Sequence, residues 1–299
     1  MSRSVFRAEV PVEGAFDLRL TAQALQRLST NVVDVITPEG TYRRAVMDRG
    51  RAVVLRIRQS APRQLNVAFD GARSPRLLSL VKWMLGADVD VRAWERRVAS
   101  IPWLRDLTRL HRGLRPPRYP TLWEAVAHSI VFQQISLHAA AAIMQRFVCA
   151  VSSAVEDDGI VLYPFPSPQA VADASPQTLL KAGLSRNKAL ALQQAALAFS
   201  RREIDAAALQ RLSSAQAIAE ISRLRGIGPW SAAVILLRGL GRLDVFPLND
   251  SGVAASLKLL AAGETVDLNR LLLQLGDQRG MLYFHLLIGR IAHAERKNR

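Results

Sequence analysis

Two short stretches of the 299-residue chain carry residue types whose spacing could do chemistry together. The first is Gly226-Ile227-Gly228-Pro229, and the second is Phe246-Pro247-Leu248-Asn249-Asp250-Ser251. The pair Gly226 and Gly228 predicts a sharp bend with positive φ, a conformation that glycine adopts without steric cost. Pro229 suits the first position of a helix, where its missing N–H is one of the orphan groups anyway. A Gly-rich turn that opens a helix presents free N–H groups and a positive dipole end, a natural cradle for one phosphate. Asp250 stands where another helix should begin. Its plain role is an N-cap. A carboxylate held beside a phosphate grip can also stabilise positive charge or orient a water, and one residue can do both.

The elements that must position these groups are helical. Residues 215–224 carry Ile218, Ile221 and Leu224 at roughly helical spacing, and 229–240 reads as an apolar helix. A further helix is expected over 251–260. The order is helix, hairpin, helix, then a carboxylate at the next helix start.

That arrangement resembles the helix-hairpin-helix DNA glycosylase superfamily. Its motif Leu-x-Gly-Ile-Gly-x-Trp/Lys-Thr/Ser-Ala is matched by Leu224, Gly226, Ile227, Gly228, Trp230, Ser231 and Ala232, and its Pro-x-x-Asp by Pro247 and Asp250. Members that also cleave the strand carry a lysine where this chain has Trp230, to attack the sugar and form a Schiff base. Trp230 therefore looks like the 3-methyladenine DNA glycosylase II branch and implies an enzyme without the lyase step. Ser129-Ile130-Val131-Phe132-Gln133-Gln134-Ile135-Ser136 is similar to that branch's Ile-Val-Gly-Gln-Gln-Ile/Leu-Ser, with Phe132 in place of the small residue. Gly183-Leu184-Ser185 with Lys188-Ala189 matches in the expected order, and Arg279 and His285 echo a weaker pattern. The resemblance covers residues 122–285 well and the N-terminal third loosely.

The resemblance implies a mainly α, two-lobed helix-hairpin-helix architecture with a small α+β N-terminal domain, the active site lying in the cleft between the lobes. It implies flipping out and excision of alkylated purines such as 3-methyladenine and 7-methylguanine, by hydrolysis of the N-glycosidic bond. The product is an abasic site for base excision repair. Asp250 is then the catalytic residue. The base pocket falls to Trp230, Phe132, Val234, Ser251, Tyr283 and Leu287. DNA contacts fall to Gln134, Ile135, Ser136, Gly226, Ile227, Gly228 and Ser231, with Gln134 and Ile135 as candidates to plug the hole left by the flipped base. A cationic base stacks favourably on tryptophan, with Trp230 the best placed. Trp103 and Trp123 could contribute, but helical aromatic residues are more often core. Three positions that are often aromatic in the family are Val234, Ser251 and Leu287 here. The pocket is therefore expected to be poor in aromatic residues, which leaves hypoxanthine or another modified base open as the substrate. Relatives further imply a monovalent cation on the main-chain carbonyls of Ser222, Leu224 and Ile227. No side-chain metal set and no other cofactor are expected. The alternative is a non-catalytic helix-hairpin-helix DNA-binding protein, and Asp250 is the residue that discriminates.

Composition agrees with a nucleic-acid partner. The formal net charge is +15, and only five of the forty Lys and Arg residues are lysines. Such a surplus calls for a polyanion, here double-stranded DNA with damaged bases, and arginine suits bidentate phosphate contacts. Cys149 is the single cysteine, which excludes a disulfide framework, a cysteine zinc site and the four-cysteine iron–sulfur cluster of some relatives. No apolar signal segment and no run of about eighteen apolar residues occurs. A soluble, cytoplasmic monomer is expected, nucleoid-associated in a bacterium.

Residues 1–90 read as α+β. Short runs of tending-to-alternate polarity at 31–36, 41–47, 52–58 and 65–69 are separated by turn signals, with helices over 17–28 and 75–85. The boundary is expected near 86–90. Residues 91–299 read as helical throughout, including 121–134, 137–155, 187–203, 251–262 and 281–295.

Overall fold

The computed structural model describes residues 4–261 and 265–297, the side chains of Ser251 and of residues 295–297 excepted. The chain opens with a five-stranded antiparallel sheet: β1 (Val5–Pro11), β2 (Asp34–Ile36), β3 (Tyr42–Asp48), β4 (Arg51–Ala61) and β5 (Gln64–Asp70), in the order β1-β5-β4-β3-β2. Period-2 alternation in β5 turns Leu65, Val67 and Phe69 inward. They join side chains of α1 (Leu18–Gln26) and α2 (Pro75–Met84), each started by a capping side chain, Asp17 and Ser74. The sequence reading passed over β1. It is an edge strand whose Phe6, Ala8 and Val10 turn inward between exposed Arg7 and Glu9, with only Val10 fully buried.

The helices that follow are α3 (Arg92–Val98), α4 (Pro102–Leu110), α5 (Leu122–Phe132), α6 (Leu137–Val151), α7 (Pro168–Asp173), α8 (Pro176–Lys181), α9 (Arg186–Ser200), α10 (Ala206–Arg211), α11 (Ser214–Ile221), α12 (Pro229–Gly239), α13 (Ser251–Leu260), α14 (Leu268–Leu275) and α15 (Arg279–Lys297). The helix expected over 137–155 stops at Val151. A hairpin takes over, β6 (Val155–Asp157) and β7 (Ile160–Leu162), turned by Asp158 and Gly159, both at positive φ as a two-residue hairpin turn demands. Leu162 packs on Ala45 and Val54 of the sheet, and Asp157 takes the guanidinium groups of Arg43 and Arg56. The end of the helix expected over 251–262 includes Ala262, which lies outside the described residues.

Two apolar cores define two lobes. The larger is continuous from the sheet, α1 and α2 through α5, α6, α9 and α12; the smaller joins α3, α4, α13 and α14. Helix α15 is the wall between them. Its Phe284, Leu287, Ile288 and Ile291 face the large core at helical spacing, while Met281, Leu282 and Leu286 face the small one. Helix α5 is buried on every side from Leu122 to Val131, as a helix at the centre of a lobe must be. It crosses α12 so closely that a Cβ on Gly239 would meet that of Ala125 at 2.8 Å.

The sheet is joined to α5 by charge as well as by packing. Arg44 of β3 lies between Asp34 (2.5 Å) and Glu124 of α5 (2.6 Å), all three buried. Two buried carboxylates share this one guanidinium. Burial pushes the Glu124 carboxyl up to about 7, the Arg44 cation pulling against it. Among the described residues no helix is long and apolar enough to cross a membrane.

Candidate active site

A cleft of about 1650 Å³ opens where the two lobes meet. Its walls are the start of α12, the loop between α5 and α6, the start of α13, one face of α15 and the end of α1.

The hairpin forms because α11 ends at Ile221 and the chain reverses before Pro229 starts α12. Leu224 O accepts from Ile227 N at 3.0 Å to close the turn. Only one of the paired glycines is demanded by backbone geometry. Gly226 has φ +78°, whereas Gly228 is extended at φ −95°, ψ 180°, with nothing within 4 Å of a Cβ. Gly228 is the N-cap of α12 and offers no side-chain cap, so the helix N-terminus stays open to the outside. Ile227 points the other way. It is buried in the large core, so of that residue only the backbone could reach a DNA strand. Ser231 is likewise buried, and its hydroxyl accepts from Gln133 Nε2 at 2.7 Å. The same amide donates to Gly226 O at 2.7 Å. Gln133 is therefore a strut between the end of α5 and the hairpin, a role the sequence did not suggest.

Gln134 and Ile135 sit at the exposed tip of the loop beyond it, Gln134 in the left-handed region with φ +56°. Lys188 of α9 holds this loop from behind. Its Nζ donates to Val131 O (2.8 Å) and Gln133 O (2.7 Å), placing a cation on the carbonyl end of α5. Burial lowers its pKa. Ser136 caps α6, its Oγ accepting from Ala139 N at 3.2 Å.

Asp250 faces the hairpin across the cleft. Its Oδ1 accepts from Gly252 N (2.7 Å) and Val253 N (3.0 Å), the N-cap of α13. Its Oδ2 accepts from the indole Nε1 of Trp230 at 2.9 Å. A carboxylate has about four lone-pair sites. Among the described residues three are used, and one on Oδ2 is left. Among the described residues Asp250 makes no ion pair. Asn249, at φ +61°, turns the chain just before the cap. Arg290 of α15 fills the space where a Cβ on Gly252 would lie.

Phe132, Trp230, Val234, Tyr283 and Leu287 all line the cleft. Nothing is described of the side chain of Ser251, so that expected pocket residue lies outside the described side chains. The lining is richer in aromatic groups than motif counting implies, because Tyr119 and His128 are stacked behind Phe132, their centroids 4.3 Å apart. Burial, then the neighbouring cations of Arg27, Arg238 and Arg44, depress the His128 pKa far below the ordinary histidine value. It is a neutral wall and not an acid. Trp103 and Trp123 are core residues, Trp123 donating to Pro166 O at 2.8 Å. His285 is also core, stacked between Trp94 and His111. Arg27, at the end of α1, enters the cleft with its guanidinium carbon 4.8 Å from the centroid of Phe132. No local signal in the sequence marks Arg27, Tyr119 or Arg290 as cleft residues.

Comparison with known proteins agrees with this geometry. Residues 127–275 match the HhH-GPD superfamily of base excision DNA repair proteins. A DNA-3-methyladenine glycosylase of Bacillus subtilis is 28% identical over 173 residues, 58% of this chain and 57% of that protein. A DNA-3-methyladenine glycosylase of Saccharomyces cerevisiae is 35% identical over 132 residues, 43% of each chain. The chain thus spans about half the length of these relatives. Among solved structures, a 3-methyladenine DNA-glycosylase from Archaeoglobus fulgidus superposes with a TM-score of 0.78 at 25% identity, covering 95% of this chain and 98% of that one. The chain belongs to the HhH-GPD superfamily of base excision DNA repair proteins, in its AlkA-like branch.

Proposed function

We propose that the protein is a monofunctional DNA glycosylase that excises alkylated purines from duplex DNA and leaves an abasic site. The observation that carries this reading is Asp250, a carboxylate that makes no ion pair among the described residues and lines an open cleft with the hairpin.

A base stacked in a duplex hides its glycosidic bond, so the nucleotide is flipped out at a cost of a few kcal/mol. The open N-terminus of α12, bare of side chains at Gly226 and Gly228, grips a phosphate through its N–H groups. Gln134 and Ile135, exposed on a loop braced by Gln133 and Lys188, occupy the vacated space. The flipped base enters between Phe132, Trp230 and Tyr283. As the C1′–N bond lengthens, positive charge grows on the sugar, and the free lone pair of Asp250 Oδ2 stabilises it in a site shielded from water. The same carboxylate orients the attacking water. An alkylated, cationic purine departs neutral and needs no further acid.

The absence of a strand-cleaving step is supported by Trp230 at the motif position and by Lys188 being bound to two carbonyls outside the cleft lining. A monovalent cation on the carbonyls of Ser222, Leu224 and Ile227 fits the tight turn, where Ser222 Oγ is enclosed without a hydrogen-bond partner. It would fix the hairpin and add positive charge beside the phosphate. The enzyme works as a monomer on double-stranded DNA.

The test is release of free base from a duplex carrying 7-methylguanine. The wild type releases it and Asp250→Asn does not; equal release by both would reduce the protein to a DNA-binding module. Borohydride should trap no protein–DNA adduct.

A further inference from the structure

Arg27 is the residue at which α1 ends, and it takes a left-handed backbone (φ 60°, ψ −56°). Such a conformation is uncommon for a side chain of this size, and it persists where the surroundings demand it. Here it aims the side chain out of the sheet layer and into the cleft between the lobes. The guanidinium lies over the face of Phe132 at 4.8 Å. Its Nη2 approaches Tyr119 Oη at 3.5 Å, the outer limit of a hydrogen bond. Its Nε is enclosed and has no acceptor. Among the described residues Arg27 forms no ion pair within 4.0 Å, and it lines the same cleft as Asp250 and Tyr283. A cation whose Nε lacks an acceptor thus lines the cleft, its guanidinium over Phe132.

Such a group treats two kinds of lesion oppositely. When the C1′–N9 bond breaks, its electron pair goes to the base. A base alkylated to a cation leaves as a neutral molecule, and an arginine beside it contributes only repulsion. A neutral purine leaves as an anion spread over ring nitrogens and any exocyclic oxygen. It then takes a proton from water, while a second water adds to C1′ and gives up its proton. A guanidinium donating to that anion's edge stabilises it most in the transition state, where the charge appears.

We propose that Arg27 is a specificity-determining residue of this pocket, its guanidinium donating to an oxygen or nitrogen acceptor on the edge of a neutral purine lesion and assisting that base as a leaving group. The proposal rests on the glycosylase reading above. It assigns the α+β layer a chemical role: the sheet and α1 exist in part to hold this arginine against Phe132.

The experiment compares single-turnover base release from two duplexes, one with a single hypoxanthine and one with a single 7-methylguanine, for wild type, Arg27→Lys and Arg27→Met. Hydrogen bonds to charged groups of this kind correspond to roughly 10- to 100-fold in rate. The expected result is a fall of that size in the ratio of hypoxanthine release to 7-methylguanine release in Arg27→Met, and a smaller fall of the same ratio in Arg27→Lys. Equal losses on both duplexes would mean that Arg27 only supports the fold, and the proposal fails. Wild type that releases 7-methylguanine but not hypoxanthine also overturns it. Wild type that releases neither base overturns the glycosylase reading itself, a distinct outcome.

Discussion

The indole N–H of Trp230 and the carboxylate of Asp250 are joined at 2.9 Å across the chain reversal that separates α12 from α13. One oxygen of the acid is spent on capping its own helix, and the other is steered by the tryptophan. Three donors thus fix the carboxylate in a single orientation, the kind of preorganisation that electrostatic catalysis requires.

Asp250→Asn should separate catalysis from folding. Asparagine is as good an N-cap as aspartate, so the melting temperature should stay close to that of wild type. On the proposed mechanism base release should fall by about a hundredfold or more, because the negative charge meant to stabilise the sugar cation is gone. A large loss of thermal stability in this variant would show that the acid serves mainly to hold α13.

Trp230→Phe keeps most of the ring and removes the N–H. Losing one charge-assisted hydrogen bond to Asp250 should slow base release about tenfold or somewhat more, with affinity for undamaged duplex unchanged. Single-turnover rates alongside binding isotherms check this.

The paired glycines of the hairpin should respond differently. At Gly226 the backbone is left-handed and a Cβ would press on Ala191 at 3.3 Å, so Gly226→Ala should lower stability by about 1–2 kcal/mol. At Gly228 the backbone is ordinary and the space is open. Gly228→Asp should leave stability near wild type and weaken DNA binding, since it puts a negative charge where the helix would grip a phosphate. Denaturation curves and salt-dependent binding of both variants distinguish the two effects.

Two buried groups should bend the pH profile of stability in opposite directions. Burial, and then the neighbouring His111, push the His285 pKa down to about 3 from an ordinary 6.5. As pH falls below 6.5 the unfolded chain gains a proton that the folded one refuses, so stability drops toward pH 3, by up to about 1.4 kcal/mol per unit. The Glu124 carboxyl, raised to about 7 from 4.5, keeps its proton longer when folded, so its contribution to stability declines as pH rises from 4.5 to 7. His285→Phe, which keeps a ring in the stack on Trp94, should flatten the acid limb. Glu124→Gln should remove the opposing slope. Urea unfolding of each variant from pH 4 to 7.5 reads both.

Much of the site was written in local sequence. The turn at Gly226, the helix started by Pro229 and the cap at Asp250 depend on neighbours within a few residues, and short-range sterics and capping rules recover them, whereas Gln134 and Ile135 were singled out by family resemblance. The sheet was legible where strands are half-buried and alternate, and β1 was passed over although its Phe6, Ala8 and Val10 alternate with Arg7 and Glu9. The hairpin β6–β7 was missed, the expected helix running into its first residue, because three-residue strands carry too few positions to establish a period of two.

What the sequence determined by itself is the set of parts: a glycine turn opening a helix, an acid at a later helix start, a tryptophan just after the turn, and a surplus of arginine. Only the tertiary structure decided which parts meet. Arg27 reaches Phe132 from more than a hundred residues away in the chain, Tyr119 and His128 stack into the same wall, and Ile227 and the Ser231 hydroxyl turn out to serve packing and bracing. No local propensity encodes such encounters. They follow from how two apolar cores close against the two faces of α15, and a residue's chemical role depends on which side of that wall it ends up facing.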